Sequence, residues 1–161
     1  FLILNNHKLN LNQFPENYHL IAIHSDLDEF RLAFFLNKKL NIGLKRKNND
    51  IYFSEQDANY SSYEFLDDTK YLKWIFFSNK SLVLEKSTDQ NLSLFGKGNT
   101  ALNEMNLLSQ QKSVDYFLII ENIANKTYMH KVLKKISEIS GVITSFLSDN
   151  KLENKENLIF S

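Results

Sequence analysis

Cysteine is missing from all 161 residues, which excludes disulfide scaffolding, zinc sites built on thiolates and thiol nucleophiles. Its absence is compatible with a reducing compartment, so a cytoplasmic location is the expectation. Glycine occurs four times and proline once, and nowhere do the glycines line up as a phosphate-cradling loop. Apart from His24, the histidines His7, His19 and His130 are scattered and offer no ligand spacing. On these grounds neither a metal nor a cofactor is expected. No apolar run approaches the roughly 18 residues of a membrane span, and Phe1–Leu4 lacks the charged flank and cleavage site of a signal peptide; no membrane association is expected. The chain opens on Phe rather than Met, which leaves room for missing residues or a removed leader. Charge of one sign is lacking too. Nineteen basic and nineteen acidic residues cancel, so the chain has no overall positive potential of the kind that dominates non-specific nucleic-acid binding.

What the chain does have is Val114–Glu121, Val-Asp-Tyr-Phe-Leu-Ile-Ile-Glu. Its five consecutive apolar or aromatic residues, Tyr116–Ile120, are too few for a free-standing helix and rich in strand formers. Unbroken apolarity implies burial on both faces and a central place in a sheet. Asn125 follows as an N-cap for a helix carrying Met129, Val132, Leu133, Ile136 and Ile139 at helical spacing, with Lys131, Lys134, Lys135 and Glu138 on the other face. Gly141 suits the position past a helix end where φ is positive, and Val142–Leu147 resumes as a strand. If the two strands are parallel, the crossover is right-handed.

An earlier unit has the same layout. Tyr18–His24 reads as a buried strand. Ser25 with Asp28, or Asp26 with Glu29, has capping-box spacing for a helix running to about Asn41, with Gly43 behind it. Leu27, Phe30, Ala33, Phe34, Leu36 and Leu40 fall within one half of the helical circumference, and Arg31, Lys38 and Lys39 on the other. Leu32 and Phe35 project from the polar side, so either the helix is covered on two faces or these two residues are an apolar contact for a partner. The likeness of the two units is one of pattern, compatible with an internal duplication.

Between the units lie candidate strands at Leu44–Lys47, Ile51–Phe53, Tyr60–Phe65 and Tyr71–Phe77. The last two form a hairpin across Asp67, Asp68, Thr69 and Lys70, with Leu72, Trp74 and Phe76 facing one way and Tyr71, Lys73, Ile75 and Phe77 the other. Ser87–Asn106, rich in Ser, Asn, Gln and Thr, is expected as a long flexible loop or a surface ordered by a partner. Phe1–Asn17 reads as a short edge strand and a loop. The charged tail from Lys151 ends in Leu158, Ile159 and Phe160, which are expected to dock back on the body.

These elements predict a single α+β domain, an open, mainly antiparallel sheet with two helices packed on one face, ferredoxin-like or similar. A chain of this length buries about two thirds of its unfolded surface. The residues also resemble a known family. Val114-Asp115-Tyr116 followed by Phe117-Leu118-Ile119-Ile120, the early Ile21-Ala22-Ile23-His24-Ser25 leading into Phe30-Arg31-Leu32-Ala33 and Leu36-Asn37, the middle Tyr63-Glu64-Phe65 and the terminal Asn157-Leu158-Ile159-Phe160 are similar to the uncharacterised bacterial family named for its Ile-Pro-Glu-x-x-Val-Asp-Tyr motif (IPExxVDY). The pieces are short and together span most of the chain. Ser109, Gln110 and Gln111 stand where the motif has Ile-Pro-Glu. The family has no assigned activity, so the resemblance implies a fold and supplies no mechanism.

Two groups of side chains carry chemistry. His24, Ser25, Asp26 and Asp28 stand where a strand delivers the chain to a helix N-terminus, where anions bind and active sites gather; capping and the macrodipole already ask for Ser and Asp there. Asp115, at the mouth of a buried strand, must be paired or hydrogen-bonded, and its structural reading is a turn cap or a partner of Arg31. The Tyr116 hydroxyl usually finds one structural partner when buried. His24, Asp26, Asp115 and Tyr116 are thus the candidate ligand-binding residues. No nucleophile stands beside them and no catalytic residue is assigned. The basic run Lys38, Lys39, Lys45, Arg46 and Lys47 beside an aromatic hairpin suits stacking of single-stranded RNA, but the neutral total and seventeen lysines against two arginines speak against nucleic acid. The leading expectation is a non-catalytic protein-interaction or regulatory binding module, with a protein partner or self-association. The alternative is a small-molecule-sensing domain or small enzyme using a pocket near His24, Asp26 and Asp115, and RNA binding is the third.

Overall fold

The computed structural model describes residues 18–53, 56–84, 102–123 and 125–148. In chain order the elements are β1 (Tyr18–Ser25), α1 (Glu29–Leu40), β2 (Lys45–Arg46), β3 (Ile51–Phe53), β4 (Ala58–Tyr60), β5 (Ser62–Asp67), β6 (Leu72–Ser78), β7 (Lys80–Leu84), β8 (Leu102–Asn106), β9 (Tyr116–Glu121), α2 (Lys126–Ser137) and β10 (Val142–Leu147). Six strands form one sheet in the order β10-β1-β9-β6-β5-β2, and every neighbouring pair is antiparallel. The α+β class with its antiparallel sheet is as expected. β9 and β10 both flank β1 and so run parallel to each other, as do β1 and β6 around β9. With a helix after β1 and another after β9, the order β10-β1-β9-β6 is that of a ferredoxin-like split βαβ unit, widened on one side by β5 and β2.

Both faces of the sheet are covered, which explains why its central strands read as unbroken apolar runs. On one face Ile21, Ile23, Trp74, Phe76, Leu118 and Ile120 pack beneath Leu32 and Leu36 of α1 and Met129, Val132 and Ile136 of α2. On the other face Leu20, Ala22, Ile75, Phe77, Phe117 and Ile119 are covered by Ile51, Phe53, Ala58 and Tyr60 of the β3–β4 hairpin and by Leu107 and Val114. Every residue of β9 is buried. The Asn125 side chain caps α2 by accepting from the Thr127 N–H, and Gly141 has the expected positive φ, 97°. Among the described residues no helix is long and apolar enough to cross a membrane.

Three expectations are corrected. The N-cap of α1 is Asp28, whose carboxylate accepts from the Arg31 N–H, rather than Ser25 or Asp26, and the left-handed residue at its C-terminus is Asn41. Leu27 lies before the helix, and the buried stripe of α1 is Leu32, Ala33 and Leu36 rather than one that takes in Phe30 and Phe34. Leu32, expected as a contact surface, is fully buried, whereas Phe30 is 72% exposed and Phe34 57%. Phe35 is half-buried and packs against the core. Finally, Leu102–Asn106 is not loop but β8, paired with β7 in a two-stranded ribbon. Its side chains are exposed or half-buried, so the backbone pairing left no hydrophobic signature in the sequence. The remaining 87–101, the segment Phe1–Asn17 and the tail from Lys151 lie outside the described residues.

Candidate functional site

Asn79 stands between β6 and β7 and is completely buried. A buried amide must have its hydrogen bonds met. Its backbone N–H donates to Asp115 O at 2.8 Å and its carbonyl accepts from Leu107 N at 2.8 Å. Its side-chain Nδ2 donates to Gln111 O at 2.9 Å and Val114 O at 2.8 Å, while Oδ1 accepts from Leu108 N at 2.9 Å. One residue thereby pins the segment 107–115, including the short 3-10 turn Ser109–Gln111, against the end of the sheet. Gln111 adds a bond from Nε2 to Ser148 Oγ, 3.1 Å.

That segment delivers Asp115. Its Oδ2 accepts from the Ser25 N–H at 3.0 Å, and its Oδ1 lies 2.9 Å from Lys80 Nζ. His24 Nδ1 lies 3.8 Å from Oδ2, and Glu104 approaches Lys80 from the far side at 3.6 Å. A row His24–Asp115–Lys80–Glu104 therefore crosses β1, the start of β9, β7 and β8. The hydrogen bond to Asp115 raises the Lys80 ammonium above the usual lysine range, and the Glu104 charge adds to this against the opposing effect of partial burial. The Phe146 ring lies 6.3 Å from the His24 ring at 30°.

The other two expected site residues are elsewhere. Tyr116 points to the helical face, where its hydroxyl donates to Leu27 O at 2.8 Å; burial, then the Glu29 and Asp115 charges, push its pKa up. The Asp26 side chain is exposed at the β1–α1 turn, and its backbone N–H donates to Gly141 O at 2.9 Å. Ser25 shares this tie, its Oγ donating to the same carbonyl at 2.7 Å and accepting from the Leu27 N–H at 3.1 Å. The structure thus brings His24 and Asp115 together on the face away from the helices and separates them from Tyr116 by the sheet. Arg31 pairs with Asp28, 3.7 Å, so the expected Asp115–Arg31 pair is replaced by Asp115–Lys80. Sequence reasoning missed Asn79, Lys80 and Glu104, because the β7–β8 pairing that places the last two has no local signal. Among the described residues no three His, Asp or Glu side chains are gathered so as to hold a metal ion.

Much of the basic run is engaged as well. Lys39 lies 3.6 Å from Glu138, Arg46 pairs with Asp50, and Lys47 lies 3.5 Å from Glu64. Phe30 and Phe34, one helical turn apart, leave their rings in solvent, and Phe34 meets Phe35 edge-on at 5.4 Å.

Compared with protein-family models, curated proteins and solved structures, the chain matches none of them.

Proposed function

We propose that this chain is a non-catalytic protein-interaction module that meets its partner through Phe30 and Phe34 of α1. The observation that carries this reading is their exposure, 72% and 57%, on a helix whose opposite side is committed to the core. Residues four apart share a helix face, and exposed aromatic side chains are the usual anchors of an interface. Covering both rings contributes on the order of 5 kcal/mol of apolar burial before the costs of association. The His24–Asp115–Lys80–Glu104 row supports the same reading, since Asp115 is met by Lys80 and by the Ser25 amide, contacts that hold strands together. A cytoplasmic location fits the absence of cysteine, and membership of the IPExxVDY family is proposed on the Val114–Ile120 resemblance.

The test is a photo-crosslinking amino acid placed at position 34 in the living source cell, with position 71 as control, because Tyr71 is 82% exposed at the turn between β5 and β6 and is not part of α1. A protein adduct at 34 and none at 71 is expected. Equal adducts at both, or none at either, contradict the reading.

A second reading, a small-molecule sensor or small enzyme, is supported by the 3.8 Å approach of His24 to Asp115. It requires a metabolite whose stabilising effect on thermal unfolding disappears in His24→Ala, and persistence of the effect in that variant dismisses it.

A further inference from the structure

The two edges of the six-stranded sheet are built differently. At one edge β2 is two residues long, Lys45–Arg46, both exposed and both charged, which is the short, charged edge that discourages pairing with another chain. At the other, β10 is six residues long and reads Val-Ile-Thr-Ser-Phe-Leu, with neither charge nor proline. No described strand pairs with its outer side. Ile143 is 66% exposed and Phe146 43%.

Backbone alternation sets which groups that edge offers. Ser148 N donates to Leu20 O at 2.8 Å, so Ser148 belongs to a hydrogen-bonded pair with β1. In an antiparallel ladder such pairs alternate; Phe146 and Thr144, opposite Ala22 and His24, therefore also turn their N–H and C=O inward. Ser145 and Leu147 turn theirs outward. The register shifts between His24 and Ser25, so a bulge ends the regular ladder before Thr144. The regular outer edge is Thr144–Ser148, and its midpoint is Phe146. A second β10 laid antiparallel about a two-fold through Phe146 matches each Ser145 with a Leu147 of the other copy, donors against acceptors. It also sets the two Phe146 side chains opposite one another in the close, non-hydrogen-bonded position. A strand that is uncharged and self-complementary about its own midpoint is suited to its own copy, because identical residues brought together there do not repel.

We infer that β10 is a dimer edge, on which a second copy of this chain adds its own β10 about the Phe146 two-fold and the two sheets become one. This surface is separate from Phe30 and Phe34, so the dimer and the interaction reading above stand or fail independently.

The full chain tests it. Wild-type protein is expected to sediment as a dimer at high micromolar concentration, and the Ile143→Lys/Phe146→Lys variant, with an unchanged circular dichroism spectrum, as a monomer. The chain has no cysteine, so Phe146→Cys supplies a lone thiol that the two-fold brings to its copy at about 4.5 Å between Cα atoms, within disulfide reach. Oxidised glutathione should convert Phe146→Cys into a covalent dimer and leave Thr144→Cys, roughly 13 Å from its copy along the strands, largely monomeric. A wild-type monomer, as when the chain's own ends cover β10, overturns the inference. So does a dimer that persists in the lysine variant, or equal crosslinking at both cysteines.

Discussion

Asn79 Nδ2 donates to Val114 O at 2.8 Å while the Asn79 backbone N–H donates to Asp115 O at 2.8 Å, so a single buried residue holds two successive carbonyls at the entrance to β9. Replacing it with alanine removes the bonds to the Val114 carbonyl and the Leu108 N–H, while the Gln111 carbonyl keeps the Val114 N–H at 3.1 Å. Each such group costs about 1–3 kcal/mol when buried. Asn79→Ala is expected to lose about 3 kcal/mol in urea unfolding, and Asn79→Asp more at neutral pH, because a carboxylate would face two carbonyl oxygens. A loss below about 1 kcal/mol would show that the staple is not needed.

Gly141 and Leu27 form a second close pair. A Cβ built at Gly141 meets Leu27 Cγ at 2.6 Å, on a backbone with φ of 97°. Gly141→Ala is expected to destabilise by roughly 2 kcal/mol. Adding Leu27→Ala relieves the clash but not the φ strain, so thermodynamic coupling between the two substitutions is expected. Strict additivity in chemical denaturation contradicts this account.

The rotated face of α1 makes a sharp contrast. Leu32 is fully buried and Phe34 is 57% exposed, although the two are neighbours on one helix. Phe34→Asp should change unfolding free energy by no more than about 0.5 kcal/mol, whereas Leu32→Asp buries a charge in the core and should prevent folding. Equal tolerance of both, read by circular dichroism melting, would put the stripe back where the wheel first placed it.

Lys80 supplies a pH dependence. Its folded pKa lies above the ordinary value of 10.5, through Asp115 first, so the native state holds the proton more tightly than the unfolded chain. The resulting stability is fully present below the unfolded pKa and disappears as pH rises through the folded one. The Lys80 side chain is a third exposed, which limits the effect to less than about 1 kcal/mol. The stability difference between wild type and Lys80→Met should stay flat from neutral pH to about pH 10 and then shrink. A difference that grows in alkali contradicts the assignment.

Sequence patterning was informative wherever burial imposed a period. The stretches behind β1, β9 and α2 carry their environments in their apolar spacing, and the alternation of Leu72, Trp74 and Phe76 against Ile75 and Phe77 correctly separated the two faces of the sheet. It failed where structure depends on contacts distant in sequence. The β7–β8 ribbon is joined by backbone bonds between strands whose described side chains are exposed or half-buried, and Lys80 stands on that ribbon. In α1 the mistake was one of phase: the apparent stripe took in Phe30 and Phe34, whereas the buried one is Leu32, Ala33 and Leu36. Of the candidate site, the proximity of His24 and Asp115 was legible at the ends of two strands, while the sheet that separates Tyr116 from them was not.

The most direct test is quantitative affinity capture from extracts of the source cell with three versions of the full chain. These are wild type, Phe30→Asp/Phe34→Asp, and His24→Ala/Asp115→Asn, each checked for an unchanged melting profile. The account predicts a protein partner retained by wild type and by the His24/Asp115 variant and lost from the Phe30/Phe34 variant. A partner kept by the Phe30/Phe34 variant, or lost only from the His24/Asp115 variant, contradicts it.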